Sequence, residues 1–210
     1  MATKLDPPWP PSSFTGGRLA LDFANTLDWR ARKNPVEVLT EFRHLLRFGL
    51  AAGALTAAEA RALMAWSERH GPLAARALER ARAVRETIAA LATALAEGAA
   101  PDPAEVRRLE DTCRRAWNAR RLVGTATGAR WEWAGALDPD RVAAVAALDA
   151  EVLLVAADRA PIRICEGEGC GWFFLDTSRN RRRRWCSMES CGNRAKARRF
   201  YHRSRTGRRR

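Results

Sequence analysis

Five cysteines are the residues of this 210-residue chain whose types and spacing are best suited to chemistry. Four of them, Cys165, Cys170, Cys186 and Cys191, fall within 27 residues in the spacing C-x4-C-x15-C-x4-C, while Cys113 stands alone. Two close pairs joined by a short span bring four thiolates around one tetrahedral Zn²⁺. Gly167, Gly169 and Gly171 lend the first pair the backbone freedom of a tight turn. Paired disulfides are the competing use of four cysteines, and an odd count in a chain read as cytoplasmic argues against them. Four sulfur ligands leave no open position for water, so the metal is expected to be single and structural, with iron in the same geometry as the alternative to zinc. The fragment is too small for a core of its own, and the metal is expected to supply folding energy, about 10–16 kcal/mol in small zinc peptides. Cys113 reads as a buried apolar residue, and His44, His70 and His202 as isolated side chains rather than ligands.

The elements that must hold these ligands follow from the flanking residues. Trp172-Phe173-Phe174-Leu175 reads as a strand covering the metal site. Ser187 is placed to cap a helix from about Met188 to Arg203, with Cys191 in its first turn. Knuckle, hairpin and then helix is the order of a treble-clef-like finger. On that helix Ala195, Ala197, Phe200 and Tyr201 are expected to face inward, and Arg194, Lys196, Arg198, Arg199 and Arg203 to occupy the remainder.

Charge concentrates in the same region. The whole chain carries +13, yet residues 161–210 hold 15 Lys/Arg against 4 Asp/Glu, and the first 160 residues hold 22 against 20. Only Lys4, Lys33 and Lys196 are lysine, so part of the arginine content fits a GC-rich coding bias. The cations form two groups: a loop of Arg179, Arg181, Arg182, Arg183 and Arg184, and the final helix with its tail, Arg208 to Arg210. Clustered arginines suit phosphate, because each neutralised phosphate releases counterions and the guanidinium fork matches its oxygens. The expected arrangement lays the final helix along a DNA major groove with the loop on the flanking backbone. RNA is the alternative, with Trp172, Phe173 or Tyr201 stacking on bases, and an acidic protein partner is a further one.

The first 160 residues read as helical. Asn34-Pro35-Val36-Glu37, Asp102-Pro103-Ala104-Glu105 and Asp138-Pro139-Asp140 are helix starts, and Thr56-Ala57-Ala58-Glu59 fits a capping box. Apolar spacing supports helices through Leu45 and Leu46, through Leu63 and Trp66, from Leu73 to Ala96, and from Val142 to Ala157. Residues 120–133, with Trp131-Glu132-Trp133 and two glycines, read as a β-hairpin, and Gly17 to Leu27 fits either a strand or a helix. The expected fold is thus mainly α: a helical domain with a small β-hairpin over 1–160, and a small treble-clef-like zinc finger with four cysteine ligands over 161–210. No apolar run reaches membrane-spanning length, and the N-terminus lacks the pattern of a secretory signal, so a soluble cytoplasmic protein is expected. No metal-hydrolase, phosphate-loop or nucleophile motif is present, so no enzymatic activity is expected. Asp22, Asn25 and Arg30 are candidates to line a small-ligand pocket, with a salt bridge or a cap as the plainer use. The helical domain is expected to sense that ligand or to form a homodimer.

The string Cys191-Gly192-Asn193-Arg194, followed by Ala195-Lys196-Ala197-Arg198-Arg199, resembles the signature of the CGNR zinc-finger proteins. Trp172-Phe173-Phe174-Leu175-Asp176 and Arg184-Trp185-Cys186-Ser187-Met188 are similar to the same family's pattern. Gly17 to Thr26 and the Trp131-Glu132-Trp133 hairpin resemble the mainly helical ABATE domain that accompanies this finger. The resemblance implies that Cys165, Cys170, Cys186 and Cys191 ligate zinc, and that the protein is a bacterial, stress-linked transcription regulator.

Overall fold

The structure, a computed structural model, describes residues 5, 9–134, 137–156 and 159–207, with side chains as far as Tyr201 and at Arg203. The tail arginines Arg208 to Arg210, the expected helix end at Ala157 and the side chain of His202 lie outside them.

Seven α-helices, three two-stranded hairpins and one π-helical turn are present among the described residues. Helix α1 (Leu19–Ala24) is deeply buried, with Ala20, Leu21, Phe23 and Ala24 at zero exposure. It packs on α4 (Gly71–Ala96) and α6 (Arg141–Val155), and α4 also meets α2 (Phe42–Ala51), α3 (Ala57–Arg69) and α5 (Pro103–Asn118). Gly17 to Leu27 is therefore mostly helix, reaching strand only at β1 (Leu27–Asp28), which pairs with β2 (Val36–Glu37).

Local start signals were largely legible. Thr56 and Glu59 form the reciprocal capping box, and Asp102 accepts the Ala104 amide at 2.8 Å ahead of Pro103. Asn34-Pro35 begins no helix. Glu37 is instead drawn inward to Arg85, a residue 3% exposed, whose two terminal nitrogens reach its oxygens at 2.7 and 2.6 Å. A buried charge is tolerated when it is paired, and this pairing holds the segment extended until Phe42 starts α2.

β3 (Arg120–Thr125) and β4 (Gly128–Trp133) form the expected hairpin, with Leu122 opposite Trp131. β5 (Ile162–Ile164) pairs antiparallel with β6 (Phe173–Leu175). Side chains alternate along β6: Phe173 enters the helical core and Phe174 lies over the cysteines, both buried. The finger's first hairpin thus shares the core built by the helices. No helix among the described residues is long and apolar enough to cross a membrane.

Candidate metal centre and nucleic-acid interface

The four paired cysteines are 2–4% exposed, and their sulfurs all lie within 4.8 Å of one another. Cys170 and Cys186 stand 3.8 Å apart and Cys186 and Cys191 3.7 Å. A tetrahedron with Zn–S bonds of about 2.3 Å has edges of about 3.8 Å, so these two separations match the edges of a zinc tetrahedron and the four sulfurs together could hold one ion. None is in a disulfide. Sulfur also receives the donors that stabilise thiolates: the amides of Gly167 and Cys186 point to Cys165 Sγ at 3.4 and 3.3 Å. Hydrogen bonds from the Cys170 and Cys186 thiols hold Cys165 far below its ordinary value, and the same contact with Cys165 pushes Cys170 up to about 12. A divalent cation removes that conflict by accepting all four as thiolates. Cys113 lies apart, its thiol pushed up to about 12 by burial in the α5–α6 interface.

Two glycines are required by this geometry. A β-carbon at Gly167 would stand 2.8 Å from Cys191 Sγ. Gly171, at φ +67°, would place one 2.9 Å from the Ala31 amide nitrogen, where the finger meets the helical body.

The second cysteine pair is carried differently from expectation. Ser187 makes no side-chain cap. Its carbonyl accepts the Gly192 amide at 3.0 Å, closing a π-helical turn over Met188–Gly192 that presents Cys191 before α7 (Asn193–Gly207) begins. Nor do Ala197, Phe200 and Tyr201 face inward. All three are exposed, Phe200 at 70% and Tyr201 at 64%.

Arg179, Arg181, Arg182 and Arg184 are exposed in the loop, as are Arg194, Lys196, Arg198, Arg199 and Arg203 on α7. Helical periodicity sets these five α7 cations around one side and Ala197, Phe200 and Tyr201 around the other. Several cations already have local work. Arg183 turns inward, donating to the Trp185 carbonyl at 2.9 Å and to that of Cys186, with its guanidinium over the Phe174 ring. Arg184 pairs with Glu166 at 2.5 Å, and Arg198 pairs with Glu168. Arg194 donates to Cys191 Sγ at 2.9 Å and lies 4.8 Å from the Trp29 ring, which also carries Arg32 at 3.5 Å. Between the first knuckle and α7, Glu166, Glu168, Arg184, Trp185, Arg194 and Arg198 line a concavity of about 630 Å³.

Three residues organise the site in roles that the sequence did not announce. Asp176, at zero exposure, accepts the Ser178 amide at 3.1 Å, the Ser178 hydroxyl at 2.5 Å and the Arg183 amide at 2.9 Å. Burial alone would raise its pKa, but those hydrogen bonds hold the carboxyl below its ordinary range. Asn25 acts as an extra strand partner: Phe173 donates its amide to Oδ1 at 2.8 Å, and Nδ2 donates to the Phe173 carbonyl at 2.9 Å. Trp29 sits at φ +53°, a strained setting for a bulky residue, where it receives Arg194 from the finger.

The remaining pocket candidates divide. Asp22 accepts the Gly16 amide at 2.7 Å and, with Asn25, lines a cavity of about 420 Å³. Arg30 lies outside that cavity, paired with Glu86 at 2.6 Å and donating to the Ala24 carbonyl at 2.8 Å.

With the geometry in place, two family models match the chain. The CGNR zinc finger spans residues 162–210, and ABATE, described as "Putative stress-induced transcription regulator", spans residues 17–157. No curated protein matches the chain. The sulfur cage and the helical body thus fall within two adjoining family segments, and the chain belongs to the ABATE family and carries a C-terminal CGNR zinc finger.

Proposed function

We propose that this protein is a DNA-binding transcription regulator whose zinc centre holds a cationic helix and a cationic loop against duplex DNA. The observation that carries the reading is α7: a 15-residue helix, about 22 Å long, set directly after the ligand Cys191, with five exposed cations around one side. Those dimensions suit a B-DNA major groove. Arg179, Arg181 and Arg182 stand ready for the flanking phosphates, while Arg183 and Arg194 serve the finger's own structure. Zinc is structural in this scheme. It supplies no reaction, and the protein is proposed to be a cytoplasmic, non-enzymatic regulator.

RNA is the second reading, supported by the exposure of Phe200 and Tyr201, since unpaired bases stack on aromatic rings whereas duplex DNA hides them. Selection of bound species by the zinc-loaded full chain, from random duplex DNA and in parallel from structured single-stranded RNA, separates the two. Enrichment of a DNA motif that is lost in Cys186→Ser is expected. Enrichment of RNA alone would transfer the function to the second reading, and enrichment of neither would overturn both.

A further inference from the structure

The hairpin β3–β4 is a sheet of two strands, so the outer edge of β4 carries no further strand among the described residues. Gly128, Ala129, Arg130 and Trp131 along it are all exposed. The direction of its backbone groups follows from the ladder. Ala134 donates its amide to the Ala119 carbonyl at 2.8 Å, one residue beyond the Arg120–Trp133 pair. Hydrogen-bonded and non-bonded pairs alternate in an antiparallel ladder. Arg121–Glu132 and Val123–Arg130 are therefore bonded pairs, whereas Ala129, Trp131 and Trp133 turn their amides and carbonyls to the outer edge.

Side chains follow the same alternation. Ala129, Trp131 and Trp133 share one face of the hairpin with Leu122, and Arg130 and Glu132 share the other with Arg121. On the first face Leu122 is 61% exposed and Trp131 46%, and the exposed Trp117 meets the Trp131 ring edge-on with centroids 5.3 Å apart. On the second, Glu132 pairs with Arg130 at 2.6 Å and with Arg121 at 3.6 Å. An open edge beside exposed apolar side chains is a template for another strand.

The sequence of this edge names the strand it fits, because Arg130-Trp131-Glu132 is complementary to itself when read antiparallel. We propose that β4 pairs with β4 of a second copy of this chain, antiparallel about a two-fold axis at Trp131, joining the two hairpins into one continuous sheet. In that register the two Trp131 residues exchange their outward hydrogen bonds, and Ala129 of each copy does so with Trp133 of the other. Arg130 falls opposite Glu132 of the second copy, at a non-bonded position where cross-strand side chains stand closest. On the other face Leu122 and Trp131 of both copies form one row across the sheet, which removes apolar surface from water. Moving the axis to Ala129 or Trp133 keeps outward bonds but parts Arg130 from Glu132, so charge fixes the register. The contact uses the same patch on both copies and closes at a dimer. It goes beyond the nucleic-acid reading and stands without it.

The test uses the zinc-loaded full chain, freed of nucleic acid, in sedimentation equilibrium, with folding checked by circular dichroism. Wild type is expected to dimerise with Kd below about 20 μM. Arg130→Glu sets acid opposite acid and Glu132→Arg sets base opposite base, so each alone should dimerise at least about tenfold more weakly. An equimolar mixture of these two single variants should recover dimers, because each chain then meets the charges that its own copy lacks. A pair confined within one chain predicts no such recovery. Ala129→Pro, which removes an outward amide and no bond to β3, should weaken dimerisation likewise and gives a second reading should a charge variant fail to fold. Wild-type association weaker than about 20 μM would overturn the proposal. So would folded variants that dimerise as wild type does, or a mixture of folded single variants that stays monomeric.

Discussion

At the scale of single residues, two buried carboxylates set opposite responses to pH. Asp176 is held below its ordinary range by the Ser178 and Arg183 hydrogen bonds, so it stabilises the fold above the unfolded value near 3.8, and that contribution is lost as pH falls through its lower folded value. Asp176→Asn should cost about 1.5–3 kcal/mol at pH 7 in a denaturant melt and free the loop that carries Arg179 to Arg182, because charge-assisted bonds are lost. Asp22 works the other way. Burial first, with Asp149 adding repulsion, raises it to about 6 from 3.8. Its favourable contribution is complete below the unfolded value and disappears as pH rises through about 6. Arg18 offsets Asp149 by pairing with it at 2.5 Å, while Asp28, His44 and Arg47 line the same cavity as Asp22. Asp22→Asn should therefore gain stability at pH 8 relative to pH 5, by up to about 1.4 kcal/mol, read from denaturant midpoints at the two pH values. Spacing alone identified the four cysteines, since thiolates around a metal are recognisable from type and interval. Asp176, Asn25 and Trp29 were not legible in this way. Asn25 acquires its role from Phe173, 148 positions distant, and Trp29 from the side chain of Arg194.

Among the elements, most of those specified by adjacent residues matched expectation, and distant partners overrode the local signal at Asn34-Pro35. The capping box at Thr56 and the Asp102-Pro103 start are local, and both form. Thr56→Ala should lower stability by about 1 kcal/mol, measured by thermal unfolding, because the Glu59 amide loses its acceptor and the reciprocal cap is broken. Asn34-Pro35 carried an equally good local signal, yet Arg85 recruits Glu37 and the segment stays extended. The final helix misled in another way. Phe200 and Tyr201 read as an inward face because aromatic residues normally seek a core, but both side chains stand exposed on α7. Its exposed cations suit a polyanion, which is the proposed occupant. The knuckle turn is tightly constrained by comparison. Gly171→Ala should destabilise by at least about 1–2 kcal/mol, combining left-handed strain with the approach to the Ala31 amide, and should loosen the finger from the body. Loss of amide-exchange protection at Phe173 would show it.

Over the whole molecule, the hairpin β5–β6 makes the metal centre and the helical body interdependent. Phe173 and Ile162 belong to the same core as α1, while Phe174, on the opposite face of the strand, covers the sulfurs. Removing zinc by chelation should therefore lower the melting temperature of the body as well as the finger, in one transition followed by tryptophan fluorescence. Separate melts, with the body unchanged, would show that the shared core does not couple them. The charge distribution is uneven, with nearly all of the excess in residues 161–210 and a near-balanced body, as the proposed contact of the finger with phosphate requires. The direct measurement of the central claim is the affinity of the zinc-loaded chain for a labelled DNA duplex, read by fluorescence anisotropy over a range of salt concentrations. Log Kd should rise linearly with log salt, with a slope reduced by about 0.9 for each loop arginine changed to alanine at Arg181 or Arg182, and chelation should abolish binding. Duplex affinity that is absent at low salt, or that survives both removal of zinc and loss of the loop arginines, would contradict it.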